Sequence, residues 1–85
     1  MEIVLLPKTK ENIQYFIKKK KKKVLKKITQ LLVDIQSNPY FGIGKPEPLK
    51  HKLSGLYSRR IDLEHRLIYE IDEEQIFVYS CRGHY

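Results

Sequence analysis

Glu47 stands between Pro46 and Pro48, so a carboxylate sits in a stretch of chain stiffened by two fixed φ angles. Arg66 opens a run of alternating residues, and His84 and Tyr85 close the sequence. These residue types suit one reaction on RNA. Cleavage by the substrate's own 2′-hydroxyl needs a base to take its proton and cations to stabilise a crowded phosphorane. It also needs an acid to protonate the departing 5′-oxygen. A carboxylate, an arginine and an imidazole with an ordinary pKa of about 6.5 can fill those places, and an aromatic ring can hold a base. RNA supplies the nucleophile, so no Ser/His/Asp or Cys/His arrangement, no metal and no cofactor is called for. Each residue also has an ordinary alternative: a solvated loop glutamate, a surface strand arginine, a frayed terminal pair. Arg59 and Arg60 are adjacent, so on a strand they point to opposite faces and at most one enters a given cleft. His51 and His65 read as surface residues or supports of a site, Tyr69, Phe77 and Tyr79 as core, and Cys81 as packing.

The composition limits what such a site could serve. Eighty-five residues make one domain, 1–85, and 41% hydrophobic content suffices for a modest core. Seventeen Lys and Arg against ten Asp and Glu leave a formal charge of +7. An excess of that size on a small surface attracts polyanions, whether nucleic acid, an anionic membrane surface or an acidic protein. No apolar run approaches the roughly 18–20 residues that span a bilayer, and Met1–Pro7 is too short for a signal peptide. The single cysteine forms no internal disulfide and no metal cluster, which points to a reducing cytosol.

The elements that must position these groups follow from periodicity. Glu2–Leu6 reads as a strand ended by Pro7. Thr9 is placed to cap a helix, with Asn12 where a capping box would carry Glu or Gln. Ile13, Phe16 and Ile17 form its apolar face, and Val24, Ile28, Leu31, Leu32 and Ile35 repeat at helical spacing up to Asn38-Pro39. Six consecutive lysines, Lys18–Lys23, lie between. One bent helix or two fit the period. Two antiparallel helices are expected, because a single one would turn a lysine-coated middle toward the core. Asn38–Gly55 holds three of the four prolines and three of the four glycines, the texture of a stiffened functional loop. Thereafter the period is two: Tyr57–Ile61, Arg66–Ile71 and Gln75–Cys81 read as an antiparallel meander, with Asp72-Glu73-Glu74 as a turn. The expected fold is α+β, with two helices on one face of an antiparallel sheet.

Gly44-Lys-Pro-Glu-Pro-Leu-Lys-His51, Leu53-Ser-Gly55, Ser58-Arg-Arg-Ile61, Glu64-His-Arg-Leu67, Cys81-Arg82 and His84-Tyr85 together resemble the YoeB (Txe) toxins of the RelE/ParE superfamily. The likeness covers about half the chain. The N-terminal half agrees only in pattern. The resemblance implies a fold like that of the microbial ribonucleases and cleavage of mRNA in the ribosomal A site. It assigns Glu47 as general base, His84 as general acid and Arg66 as stabiliser of the phosphorane. Lys50 and Arg60 would assist with phosphate, and Tyr85 would pack beside the scissile nucleotide. It further implies a cytoplasmic protein, a YefM/Phd-type antitoxin whose acidic segment covers the site, and dimers in many members. The competing readings are a ParE-like gyrase inhibitor, which would lack the Glu/Arg/His set, and a basic RNA- or ribosome-binding module without catalysis.

Overall fold

A computed structural model describes residues 1–83. Its elements run β1 (Glu2–Leu5), α1 (Pro7–Lys18), α2 (Lys22–Ser37), β2 (Glu47–Pro48), a 3-10 turn (His51–Leu53), β3 (Leu56–Arg60), β4 (Arg66–Asp72) and β5 (Gln75–Ser80). The strands form one sheet in the order β1-β5-β4-β3-β2. This is the expected α+β architecture with two differences. The sheet is mixed, because β1 runs parallel to β5 while β2 to β5 are antiparallel. Glu47 and Pro48, expected in a loop, pair with Ser58 and Tyr57 as a two-residue edge strand. An edge is where proline is tolerated, since its missing N–H leaves no neighbouring strand short of a donor.

Both helices pack on one sheet face. Phe16, Ile28, Leu31 and Ile35 meet Leu67, Tyr69, Ile76 and Val78 in a continuous core. Ile17, read with the apolar face of α1, is half exposed. The helix begins at Pro7, two residues before Thr9. Proline at the first turn wastes no hydrogen bond there, and Leu6 precedes it without a side-chain cap. Thr9 and Asn12 are therefore inside the helix and buried. Thr9 Oγ1 donates to the Val78 carbonyl at 2.8 Å, and Asn12 Oδ1 accepts from the Cys81 amide at 3.0 Å. The supposed capping pair ties α1 to β5 instead.

The lysine run does break the helix. Lys20 takes a left-handed φ of 56°, its amide donates to the Ile17 carbonyl at 3.0 Å, and the Lys21 amide donates to Phe16 at 2.9 Å. These are the two bonds of a Schellman stop, with lysine where glycine usually stands. The absence of glycine is why no turn signal marks this position.

One buried charge organises the loop after α2. Arg59 projects from β3 into the helix side of the sheet and is 0% exposed. Its Nε donates to Tyr69 Oη at 3.1 Å, and Nη1 donates to Asp34 Oδ2 at 2.5 Å and to the Ile43 carbonyl at 3.2 Å. Nη2 donates to the carbonyls of Asn38 and of Phe41, the latter at 3.1 Å. All five N–H bonds of the guanidinium are used. Asp34 also accepts from the Ile43 amide at 3.1 Å, and Tyr69 Oη donates to the Pro39 carbonyl at 2.9 Å. The segment from Asn38 to Ile43 is thus bound around a side chain that cannot be left unpaired.

Hydrogen bonding to Arg59 holds the Asp34 carboxyl below its ordinary value. The folded protein therefore binds this proton less tightly than the unfolded chain does. The resulting stability is fully present above about pH 4 and is lost as pH falls through the lowered pKa. Asp34→Ala is expected to cost about 3 kcal/mol, the lower end for removing one partner of a buried pair, because Asp34 itself keeps some solvent contact. In urea titrations, Asp34→Asn should lack the part of the acid-limb loss that wild type shows below about pH 4. Lys20→Gly should instead raise stability by about 1 kcal/mol by relieving the left-handed lysine; an unchanged or lower denaturation midpoint would argue against that strain.

Candidate functional site

The sheet face turned away from the helices carries Glu47, Arg60 and Arg66. Directly paired residues in adjacent strands point to the same side. Arg60 pairs with Arg66, and Ser58 pairs with both Ile68 and Glu47. Glu47, Ser58, Arg60, Arg66 and Ile68 therefore share one face, while Arg59, Leu67 and Tyr69 take the other and enter the core. The alternation expected of Arg59 and Arg60 is realised, with Arg60 the one on the open side. Glu47 and Arg66 are two strands and two residues apart, roughly 12 Å between backbone positions. A carboxylate and a guanidinium on side chains of this length can approach one phosphodiester across that gap.

Arg60 directly opposite Arg66 is electrostatically unfavourable. Like charges in this position ordinarily cost a few tenths to about 1 kcal/mol. Neither arginine forms a salt bridge with a carboxylate among the described residues. A pair of this kind is relieved by a bound anion, and guanidinium forks suit phosphate.

Glu47 lines an open hollow of about 290 Å³ together with Pro48, Leu49, Lys50, His51 and Leu53. Its shape comes from the tight return between β2 and β3. Lys50 precedes the 3-10 turn, His51 is left-handed at φ 59°, and the Leu49 amide donates to the Leu56 carbonyl at 2.9 Å. Lys50 is thereby placed beside Glu47 in space as well as in sequence. His51 is exposed, as expected. On the other side, the Arg60 amide donates to the Gly44 carbonyl at 2.7 Å. Arg60 also borders a second hollow of about 410 Å³, which Lys27 and Lys45 line as well. Lys27 lies far upstream on α2, and nothing in its local sequence linked it to this surface.

The chain beyond β5 returns to the strand end that carries Arg66. Ile68 pairs with Ser80 but Tyr69 pairs with Val78, so Tyr79 is an extra residue bulged out of β5. The bulge resets the alternation. It returns Cys81 to the core, where it is fully buried, and leaves Tyr79 exposed, with Oη donating to Glu70 Oε1 at 2.8 Å. Tyr79 is thus not a core residue, and the bond to Glu70 raises its pKa. Phe77 is half-buried on the same outer face, opposite Glu70, while Tyr69 is core as expected. Arg82 lies over the Tyr15 ring at 3.5 Å. Beyond it, Gly83 donates to His65 Nδ1 at 2.8 Å and accepts from the Arg66 amide at 3.0 Å. His65 is buried, a support rather than a surface residue. His84 and Tyr85 lie outside the described residues. No grouping of His, Cys, Asp and Glu suited to a metal occurs among the described residues, and none of their helices is long and apolar enough to cross a membrane.

The same two-helix layer on a five-stranded sheet is found in solved toxins of bacterial toxin–antitoxin systems. A YoeB/ParE toxin from Agrobacterium tumefaciens superimposes with a TM-score of 0.93 at 32% identity, covering 100% of both chains. YoeB from Staphylococcus aureus, solved in a heterotetrameric complex with YefM, superimposes with a TM-score of 0.87 at 46% identity over 100% of this chain and 98% of that one. The same toxin has been solved as a dimer. Toxin YoeB of Escherichia coli K12 is 50% identical over 64 residues, 75% of this chain and 76% of that protein. Residues 7–85 match the family described as YoeB-like toxin of bacterial type II toxin-antitoxin system. The chain belongs to that family.

Burial pushes the Cys81 thiol up to about 12, so almost no thiolate forms at neutral pH. Native protein at pH 8 is expected to react with a maleimide far more slowly than protein unfolded in guanidinium. Equal rates would show that the segment following β5 is not closed over the core.

Proposed function

We propose that this toxin is an endoribonuclease that cuts mRNA in the ribosomal A site and so stops translation. The observation that carries the reading is the placement of Glu47, Arg60 and Arg66 on one sheet face, with the residue joined to His84 fixed against Arg66. In this mechanism Glu47 takes the proton of the 2′-hydroxyl, whose oxygen attacks the adjacent phosphorus. Negative charge builds on the phosphorane oxygens, where Arg66 meets it, with Arg60 and Lys50 holding phosphate. The P–O5′ bond then breaks as His84 gives its proton to the leaving oxygen. The products are a 2′,3′-cyclic phosphate and a 5′-hydroxyl. Tyr85 packs beside the scissile nucleotide. The chemistry uses only the protein's own side chains and the substrate's hydroxyl.

The same face is the natural target of an acidic antitoxin segment. The complex of the Staphylococcus aureus relative with YefM supports a partner of that kind, and the relative's dimer supports self-association. A ribosomal target places the protein in the cytoplasm, as a single toxin domain. Gyrase inhibition would not need Glu47 on the same sheet face as the two arginines, and a simple RNA binder would not need Gly83 clamped to Arg66.

Glu47→Ala and His84→Ala should each lower cleavage by about 10²–10⁴ while leaving ribosome binding intact. Mapping of mRNA 5′ ends in a purified translation system, with and without ribosomes, checks this. Wild-type cutting by both variants would remove the assigned roles.

A further inference from the structure

Resting on the nuclease reading above, we propose that His65 is a positioning residue for cleavage: its imidazole holds the segment leading into His84 in register with Arg66. His65 ends the turn between β3 and β4. That turn is tightened by Asp62 Oδ1, which accepts from the amides of Glu64 at 2.9 Å and His65 at 2.7 Å. His65 is 8% exposed, and its ring packs edge-on against Phe16 at 5.0 Å between centroids. Its Nδ1 accepts the Gly83 amide at 2.8 Å, so the proton of the neutral ring sits on Nε2, 3.6 Å from Glu64 Oε1.

Gly83 is gripped at both of its backbone groups. Its N–H goes to the His65 ring, and its carbonyl accepts from the amide of Arg66. The sheet itself does not require this grip, since β5 ends at Ser80 and the Cys81 amide is already held by Asn12. Gly83 adopts a left-handed φ of 76°, and a side chain there would meet nothing within 4 Å. Glycine is needed for the turn, not for space. The turn sends the chain back to the strand end that carries Arg66. One histidine thus couples the position of the cation at the phosphorane to the position of the segment bearing the acid. Misplacing reacting groups by about 1 Å costs on the order of 10² in rate, so this clamp acts on turnover and not on RNA affinity.

The test separates acceptor from packing. His65→Phe keeps an aromatic ring against Phe16 but offers no acceptor. His65→Asn loses the ring but puts an amide oxygen close to where Nδ1 stands. His65→Gln carries its oxygen out near the Nε2 position instead. The readouts are kcat and KM for ribosome-bound mRNA and hydrogen exchange at the Gly83 amide. His65→Phe should lower kcat by about 10- to 100-fold with KM little changed, and should speed Gly83 exchange. Asn should restore both, and Gln should not. If Phe fails to fold, the Asn and Gln pair carries the comparison. Equal activity of Asn and Gln, wild-type kcat in Phe, or Gly83 exchange that ignores the substitution would each overturn the role. A wild-type protein that leaves ribosome-bound mRNA intact while Gly83 exchange still responds would overturn the nuclease reading, and with it the catalytic part of this one.

Discussion

The buried guanidinium of Arg59 is the constraint on which the rest of the molecule depends. A charge removed from water is tolerated only when every polar group on it is paired. Here five N–H donors meet Asp34, Tyr69 and three backbone carbonyls of the segment after α2. That segment cannot take another path without orphaning a buried charge, so one side chain does the work of a small core for a stretch that has few apolar contacts of its own. Strand alternation then forces the neighbour, Arg60, to the opposite face. One arginine of the pair builds the frame and the other is left exposed on the far face.

The site is assembled from the sheet's edge inward. β2 supplies Glu47 from an edge position, where the flanking prolines cost no ladder hydrogen bond and limit how far the carboxylate can wander. β3 and β4 supply the opposed arginines. The bulge at Tyr79 sets the phase of the chain beyond β5, so that Cys81 is buried and Gly83 reaches the strand end at Arg66. Without that extra residue the same sequence would carry the opposite alternation at its end, and the clamp at Gly83 would face the wrong side of the sheet. Like-charge repulsion between the directly paired Arg60 and Arg66 is the cost of this arrangement.

Much of this was legible from local pattern. The helical period of Val24, Ile28, Leu31, Leu32 and Ile35 is the core face of α2, and the period of two after Leu56 is the meander. The break within the lysines followed from burial logic alone, since no glycine announced it. The misreadings share one cause. Thr9 and Asn12 looked like a local cap, but their partners are Val78 and Cys81, 69 residues further along the chain. Tyr79 had the right type for the core but alternates with buried Val78 and so falls outside it, and the bulge that then returns Cys81 to the core has no signature in the residues around it. β1 joined the sheet parallel to the last strand because the two helices return the chain across the sheet, a long-range outcome that a short apolar run does not encode.

What the sequence by itself determined was the inventory and the local geometry: which groups could do acid–base and phosphate chemistry, that prolines flank the carboxylate, and that Arg59 and Arg60 must part company. Those properties are covalent or follow from the strand repeat, so they need no knowledge of distant residues. The tertiary structure alone decided which arginine would be buried, that Glu47 would share a face with Arg60 and Arg66, and that His65 would hold Gly83. Each of these depends on pairing between segments far apart in the chain, where the free energy of burying a charge or completing a hydrogen bond chooses among arrangements that local sequence leaves equal.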